Sequence, residues 1–255
     1  MFKPFLFVFF LVVLVACTKT HNAILKSPDG AIAVLVHVSK GRPSYMITRH
    51  DTVVIDTSRL GIAMSDADFH SNLKLTFVSE PVVVEEQFTM LHGKRLQVNY
   101  AATEQVFHFE NELGRRMDII FRASNDGVAF HYSFPERSAD VKTIEKEFTT
   151  FHFKPEATAF LQPMSVAKTG WQGVNPCYEE YYEKEIKVGT PSPSPAGWVY
   201  PALFHDNQNW IAITETALDG TYCGTRLLAN SLNGEYQLGF PENVEKFPGG
   251  GVLPM

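Results

Sequence analysis

Short runs of β-branched and aromatic residues, several alternating with polar ones, recur along the chain at 31–38, 45–48, 53–55, 73–78, 82–84, 96–100 and 106–109. A period of two marks strands with one face buried. Between the runs stand Ser27-Pro28-Asp29-Gly30, Ser39-Lys40-Gly41-Arg42-Pro43, Glu110-Asn111-Glu112-Leu113-Gly114 and Ser124-Asn125-Asp126-Gly127. These supply the positive-φ positions and Asx-type bonds that reverse a chain. Segments 116–123 and 127–135 flank the last of them and predict a hairpin. No window offers a capped amphipathic helix with apolar residues at i, i+3, i+4 and i+7. The pattern predicts an all-β sandwich.

From 160 to 201 the texture changes to scattered Pro, Gly, Ser and aromatics, including Thr190-Pro191-Ser192-Pro193-Ser194-Pro195. Strand, turn and strand return over 200–216, so the irregular stretch reads as a loop inside one domain. Residues 247–255, with Pro248-Gly249-Gly250-Gly251, read as the start of a linker.

The first residues set the address. Lys3 precedes an apolar run over 5–15, too short to span a membrane as a mature helix, and the pattern reads as a signal peptide over 1–16. Leu14-Val15-Ala16-Cys17 resembles a bacterial lipobox, which makes Cys17 the expected lipid anchor. An ordinary secretory signal with an incidental cysteine is the alternative. Thr18 after the cysteine fits sorting to the outer membrane, so the periplasm or outer membrane is the expected location, and residues 17–24 form the expected tether. Export leaves Cys177 and Cys223 in an oxidising compartment, where either a bridge or two buried thiols is compatible with the sequence.

The whole chain carries 22 cationic and 28 anionic residues, a net charge of −6, and loss of Lys3 with the signal makes it 21 − 28 = −7. A mildly acidic chain without basic runs is a poor nucleic-acid binder. Hydrophobic residues at 45%, with Phe numbering 20, suffice for a substantial core without staples.

Candidate chemistry concentrates in Asn175-Pro176-Cys177-Tyr178-Glu179-Glu180-Tyr181-Tyr182. Carboxylates beside aromatic rings suit sugars, whose C–H faces pack on rings and whose hydroxyls bond to carboxylates, or a hard cation such as calcium. An acidic run is otherwise a solvated face. Trp171, Trp198 and Trp210 are candidate sugar platforms, and Trp198, after the Pro-Ser run, is the one expected at the surface and in substrate binding. The nine histidines show no metal spacing, the glycines at 249–251 lack the Lys-Ser/Thr of a phosphate loop, and no Gly-x-Ser-x-Gly elbow occurs.

Several segments together resemble the N-terminal domain of glycoside hydrolase family 97, bacterial exo-acting α-glucosidases and α-galactosidases. They are Ser27-Pro28-Asp29-Gly30, Leu60-Gly61-Ile62, His92-Gly93-Lys94-Arg95, the run 121–130, Tyr178-Glu179 with Tyr182, and Ile213-Thr214-Glu215. The resemblance implies a β-supersandwich over 25–246, similar in plan to galactose mutarotase, that normally precedes a catalytic barrel. The barrel would carry the catalytic carboxylates, so the chain alone is expected not to hydrolyse a glycoside. The resemblance also maps a calcium-ligating glutamate onto Glu179, one ligand of an ion held mainly by the barrel. The implied partners are α-linked oligosaccharides and the chain's own barrel, with membrane contact only through the lipid.

Two other readings belong to different classes. One is a stand-alone carbohydrate-binding lipoprotein. The other is a mutarotase-like epimerase, which needs an acid and base converging on a hemiacetal, with His131 and Glu215 as the nominees.

Overall fold

The computed structural model describes residues 21–164, 181–206, 208–219 and 221–241, and among them are nineteen strands and no helix. The N-terminal meander runs β1 (His21–Lys26), β2 (Ile32–Ser39), β3 (Arg42–Arg49) and β4 (Thr52–Arg59). Its first two turns fall at the Ser-Pro-Asp-Gly and Lys-Gly signals, where Gly30 and Gly41 both have φ of +72°, and its third at His50-Asp51. β1 lies partly inside the expected tether, because residues 21–24 pair with β2 and belong to the sheet.

Next come β5 (Ile62–Met64), β6 (Ala67–Phe69), β7 (Lys74–Val78), β8 (Val82–Thr89) and β9 (Gln97–Glu110). The runs at 96–100 and 106–109 are therefore one strand of 14 residues. Its polar middle, Ala101-Ala102-Thr103-Glu104-Gln105, hides the continuity in sequence, and pairing with neighbours on both edges supplies it. β10 (Arg116–Ser124) and β11 (Val128–Ser133) form the expected hairpin, with Ala123 opposite Val128. The chain continues through β12 (Ile144–Glu147), β13 (Thr150–His152), β14 (Thr158–Pro163) and β15 (Glu183–Lys187). It ends in β16 (Trp198–His205), β17 (Trp210–Ile213), β18 (Arg226–Leu227) and β19 (Glu235–Gly239). β15 is a strand where the sequence predicts loop, because its charged residues, Glu-Lys-Glu-Ile-Lys, carry almost no apolar signal and the ladder to β14 defines it.

An eleven-stranded sheet carries β1-β2-β3-β4-β13-β19-β18-β16-β14-β15, with β17 on β16; a five-stranded sheet carries β11-β10-β9-β7, with β8 on β9. A third, three-stranded sheet, β12-β5-β6, joins them. Antiparallel alternation sends Phe107, Phe109, Met117, Ile119, Phe121 and Ala123 inward from the smaller sheet, all fully buried. Tyr45 from β3 meets Phe121 and Phe130, with ring centroids 5.8 and 5.4 Å away, and its hydroxyl donates to the Thr150 carbonyl at 2.9 Å. A second knot stacks Phe153 on Phe204 at 3.7 Å beside Tyr236. Each such ring removed from water stabilises the fold by roughly 2–3 kcal/mol.

Candidate functional site

The most chemically distinctive group of described residues forms where the three-stranded sheet meets the sandwich. It begins at Gly61, whose φ of +138° and crowding against His70 Cα, 2.6 Å from where a Cβ would stand, admit only glycine. That tight passage aims the Gly61 N–H at Tyr132 Oη, 2.9 Å away, while the Gly61 carbonyl accepts from Phe148 N. Glu147, at the end of β12, lies opposite Ile62 and is only 8% exposed.

A one-way chain of donors leads into its carboxylate. Gly61 N–H donates to Tyr132 Oη, and because the single Thr149 proton is given to Glu147, the Tyr132 proton goes to Thr149 Oγ1 at 2.7 Å. The Thr149 proton then goes to Glu147 Oε1 at 2.5 Å, and Tyr222 Oη donates to Glu147 Oε2 at 2.6 Å. Charge-assisted bonds of this kind are about twice as strong as neutral ones. Burial pushes the Glu147 carboxyl above its ordinary range; the Thr149 and Tyr222 bonds pull it back in part, and the charge of Glu215 adds to the rise.

Glu215 forms a second node, accepting from Thr225 N and Thr225 Oγ1, each at 2.8 Å. Tyr200, whose hydroxyl proton is held well above the ordinary phenol range chiefly by burial, faces Thr225 and both carboxylates. Cys223 lies in the same region as a free, partly buried thiol, raised by burial and by the two glutamates. Every carboxylate oxygen of Glu147 and Glu215 thus accepts from an N–H or O–H donor. Among the described residues no group of three or more His, Cys, Asp and Glu is placed to hold a metal ion.

β14 ends with Pro163 opposite Trp198, which lies two residues along β16 from Tyr200, and β15 begins with Glu183 opposite Leu161 of β14. Glu179 itself, with Tyr178, Glu180, Cys177 and Trp171, lies outside the described residues, as does Cys17.

Trp198 is a correction. It is fully buried, not a surface platform, because it opens a central strand between β14 and β18. Gly197, at φ +100° and with its missing Cβ position 2.1 Å from Leu227 O, brings the backbone close enough to seat the indole inside. Of the two described tryptophans, Trp210 is the exposed one, at 58%. The epimerase nominees are not brought together. Tyr132 points inward to Thr149, and His131, its neighbour in a strand, is exposed on the opposite face from the Glu147 and Glu215 cluster. Sequence reasoning missed Glu147, because Ile144-Glu145-Lys146-Glu147 reads as a solvated charged run. The strand period gives no signal for it: a register shift between Ile144 and Lys146 changes the alternation and sets Glu147 opposite Ile62.

The model of a known family, described as Glycosyl-hydrolase 97 N-terminal, matches residues 25–248. The chain belongs to this family. A probable retaining alpha-galactosidase of Streptomyces bingchenggensis (strain BCW-1) is 29% identical over 200 residues, covering 78% of this chain and 29% of the relative. Among solved structures, a beta-arabinopyranosidase superposes with a TM-score of 0.82 at 33% identity, over 87% of this chain and 36% of that one. A glycoside hydrolase family 97 enzyme from Pseudoalteromonas sp. strain K8, solved with panose and with acarbose, gives 0.70 at 26% identity, over 86% and 32%. This family 97 N-terminal domain therefore spans about a third of the length of the relatives it matches, and the all-β sandwich expected from the periodicity is the observed fold.

Proposed function

We propose that this domain is the carbohydrate-contacting, N-terminal part of an exo-acting glycoside hydrolase, and that Glu179 supplies one carboxylate to a calcium ion held mainly by a catalytic barrel. The observation that supports the reading is the position of the two described strands on either side of the stretch containing Glu179. Pro163 at the end of β14 pairs with Trp198, two residues along β16 from Tyr200, which faces Glu147 and Glu215, and β15 starts at Glu183 opposite Leu161 of β14. A rigid, hydrogen-bonded sheet end is suited to fixing where an adjoining stretch of chain presents a side chain to a neighbouring domain.

The reading takes the ion as shared between domains. Calcium takes six to eight oxygens. Glu147 and Glu215 spend theirs on hydroxyl and amide donors, which leaves the described residues without a shell of their own. Bound calcium would supply positive charge that polarises a substrate oxygen; the domain's residues fix where the Glu179 segment starts and ends. Cys17 as a lipid anchor would hold the protein at the periplasmic or outer-membrane face, near α-linked oligosaccharides.

The test is to read the coding sequence past the Met255 codon and to make Glu179→Gln in the polypeptide it encodes. A barrel in frame, with calcium affinity weakened about tenfold or more by the substitution, upholds the reading. A barrel whose calcium response ignores the substitution removes Glu179 from the site. A stop followed by unrelated sequence removes the catalytic part and leaves a carbohydrate-binding lipoprotein.

A further inference from the structure

Trp210 stands on the outer face of the larger sheet, away from the Glu147 cluster. It pairs with His205 across the β16–β17 ladder, and β17 is bonded to β16 alone, so the indole sits at a sheet margin. Inward positions of the same strands, Phe204 and Ala202 on β16 and Ile213 on β17, are buried. Alternation therefore turns His205 and Trp210 outward, and Phe160 of β14, opposite Leu203, lies on that same face. The rings touch. His205 stacks on Trp210 at 4.2 Å with planes 20° apart, and Phe160 lies 5.3 Å from it at 46°. Trp210 keeps 58% of its surface exposed although His205 covers one side.

The exposed indole, braced by His205 and Phe160, offers a held, flat apolar face with a polar N–H edge. Its neighbours are polar and fixed. In the turn between the two strands, Asp206 Oδ1 accepts from Asn209 N at 2.7 Å, and Asn209 Nδ2 also bonds the carboxylate. Arg49, arriving from β3, donates from Nη1 to Asn209 Oδ1 at 2.9 Å. Among the described residues, the second carboxylate oxygen of Asp206 has only the 3.3 Å bond from Asn209 Nδ2. An exposed guanidinium and an underused carboxylate oxygen thus flank an aromatic face. Such a set recognises a pyranose ring, with C–H bonds on the indole and hydroxyls given to and taken from charged groups.

We propose that Trp210, braced by His205 and Phe160 and flanked by Arg49 and Asp206, is a carbohydrate-binding surface separate from the Glu147 and Glu215 cluster. Tyr200 and His205 are five residues apart on β16, so the platform lies about 16 Å along the strand from the residue that faces Glu147 and Glu215. The ligand class is an oligosaccharide that lays one ring flat on Trp210. The proposal rests on the carbohydrate part of the functional reading and on neither Glu179 nor a barrel. A surface of this kind would hold a polymeric or oligomeric substrate near the enzyme and raise its local concentration.

The experiment is titration of the purified chain with maltotriose and with melibiose, without added calcium, followed by calorimetry and ligand-observed NMR. Saturable binding in the millimolar range to either sugar is expected, with Trp210→Ala weakening it about tenfold or more and Trp210→Phe by only about threefold. Arg49→Ala is expected to weaken it by a smaller factor. The thermal midpoint of Trp210→Ala should match the parent, which separates lost stacking from lost folding. No saturable binding up to about 10 mM of both sugars overturns the proposal, and so does binding that Trp210→Ala leaves unchanged. Because calcium and Glu179 take no part, these results stand apart from the test of the catalytic reading.

Discussion

Tyr222 Oη donates to Glu147 Oε2 across 2.6 Å, joining residues 75 apart in sequence. The bond fastens the loop before β18 to the end of β12. It also completes the donor chain that begins at the Gly61 amide, so one contact ties the small sheet to the larger one.

Tyr222→Phe removes that donor and leaves a buried carboxylate oxygen without its partner. The expected cost is about 1–3 kcal/mol of unfolding free energy, read from urea denaturation. A loss below about 0.5 kcal/mol would mean that water replaces the hydroxyl at no cost.

Glu147 should also leave a mark on stability against pH. Burial, the largest influence, raises its pKa above the ordinary 4.5, so the fold favours the protonated form. Its contribution is fully present below that ordinary value and is lost as pH rises through the folded value. Asp29, Asp66 and Asp219 run the opposite way. Hydrogen bonds, from Ser27, Lys142 and Thr221 respectively, hold them below the ordinary 3.8, and their contributions vanish as pH falls. Glu147→Gln should therefore flatten the decline above about pH 4.5 and leave the acid limb alone, as measured by urea midpoints across pH. An unchanged slope above that pH would contradict the burial argument.

Gly61→Ala forces a side chain into φ +138° and places its Cβ 2.6 Å from His70 Cα. Backbone must move, and the Tyr132 bond moves with it. We expect a loss of about 2 kcal/mol or more, together with faster amide exchange at Phe148, whose N–H bonds to the Gly61 carbonyl. Parent-like exchange there would show that the passage accommodates a methyl group.

Phe153→Ala removes a ring stacked at 3.7 Å on Phe204 and 1% exposed. A cavity in that knot should cost about 3–5 kcal/mol, seen as a lowered thermal midpoint. A cost near 1 kcal/mol would mean that Phe204 and Tyr236 collapse into the space.

Cys17→Ser addresses the expected anchor. Expression in a Gram-negative host should move the protein from the detergent-rich to the aqueous phase on Triton X-114 partition. Equal partition of parent and variant would count against lipidation at that thiol.

The sequence by itself determined the all-β class, the hairpin around Ser124-Asn125-Asp126-Gly127 and the family, because alternation, turn chemistry and ordered motifs are local properties of the chain. Tertiary structure decided the rest. It merged two apolar runs into β9, since cross-strand ladders carry a strand through polar residues. It drew the charged stretch at 183–187 into β15 for the same reason. It buried Trp198 and exposed Trp210, a choice that depends on which strands flank each position. It also turned Glu147 from one charge in a polar run into a buried acceptor for Thr149 and Tyr222. Partners at sequence separations of 75 and more meet only once the sheets close, and no local pattern encodes that distance.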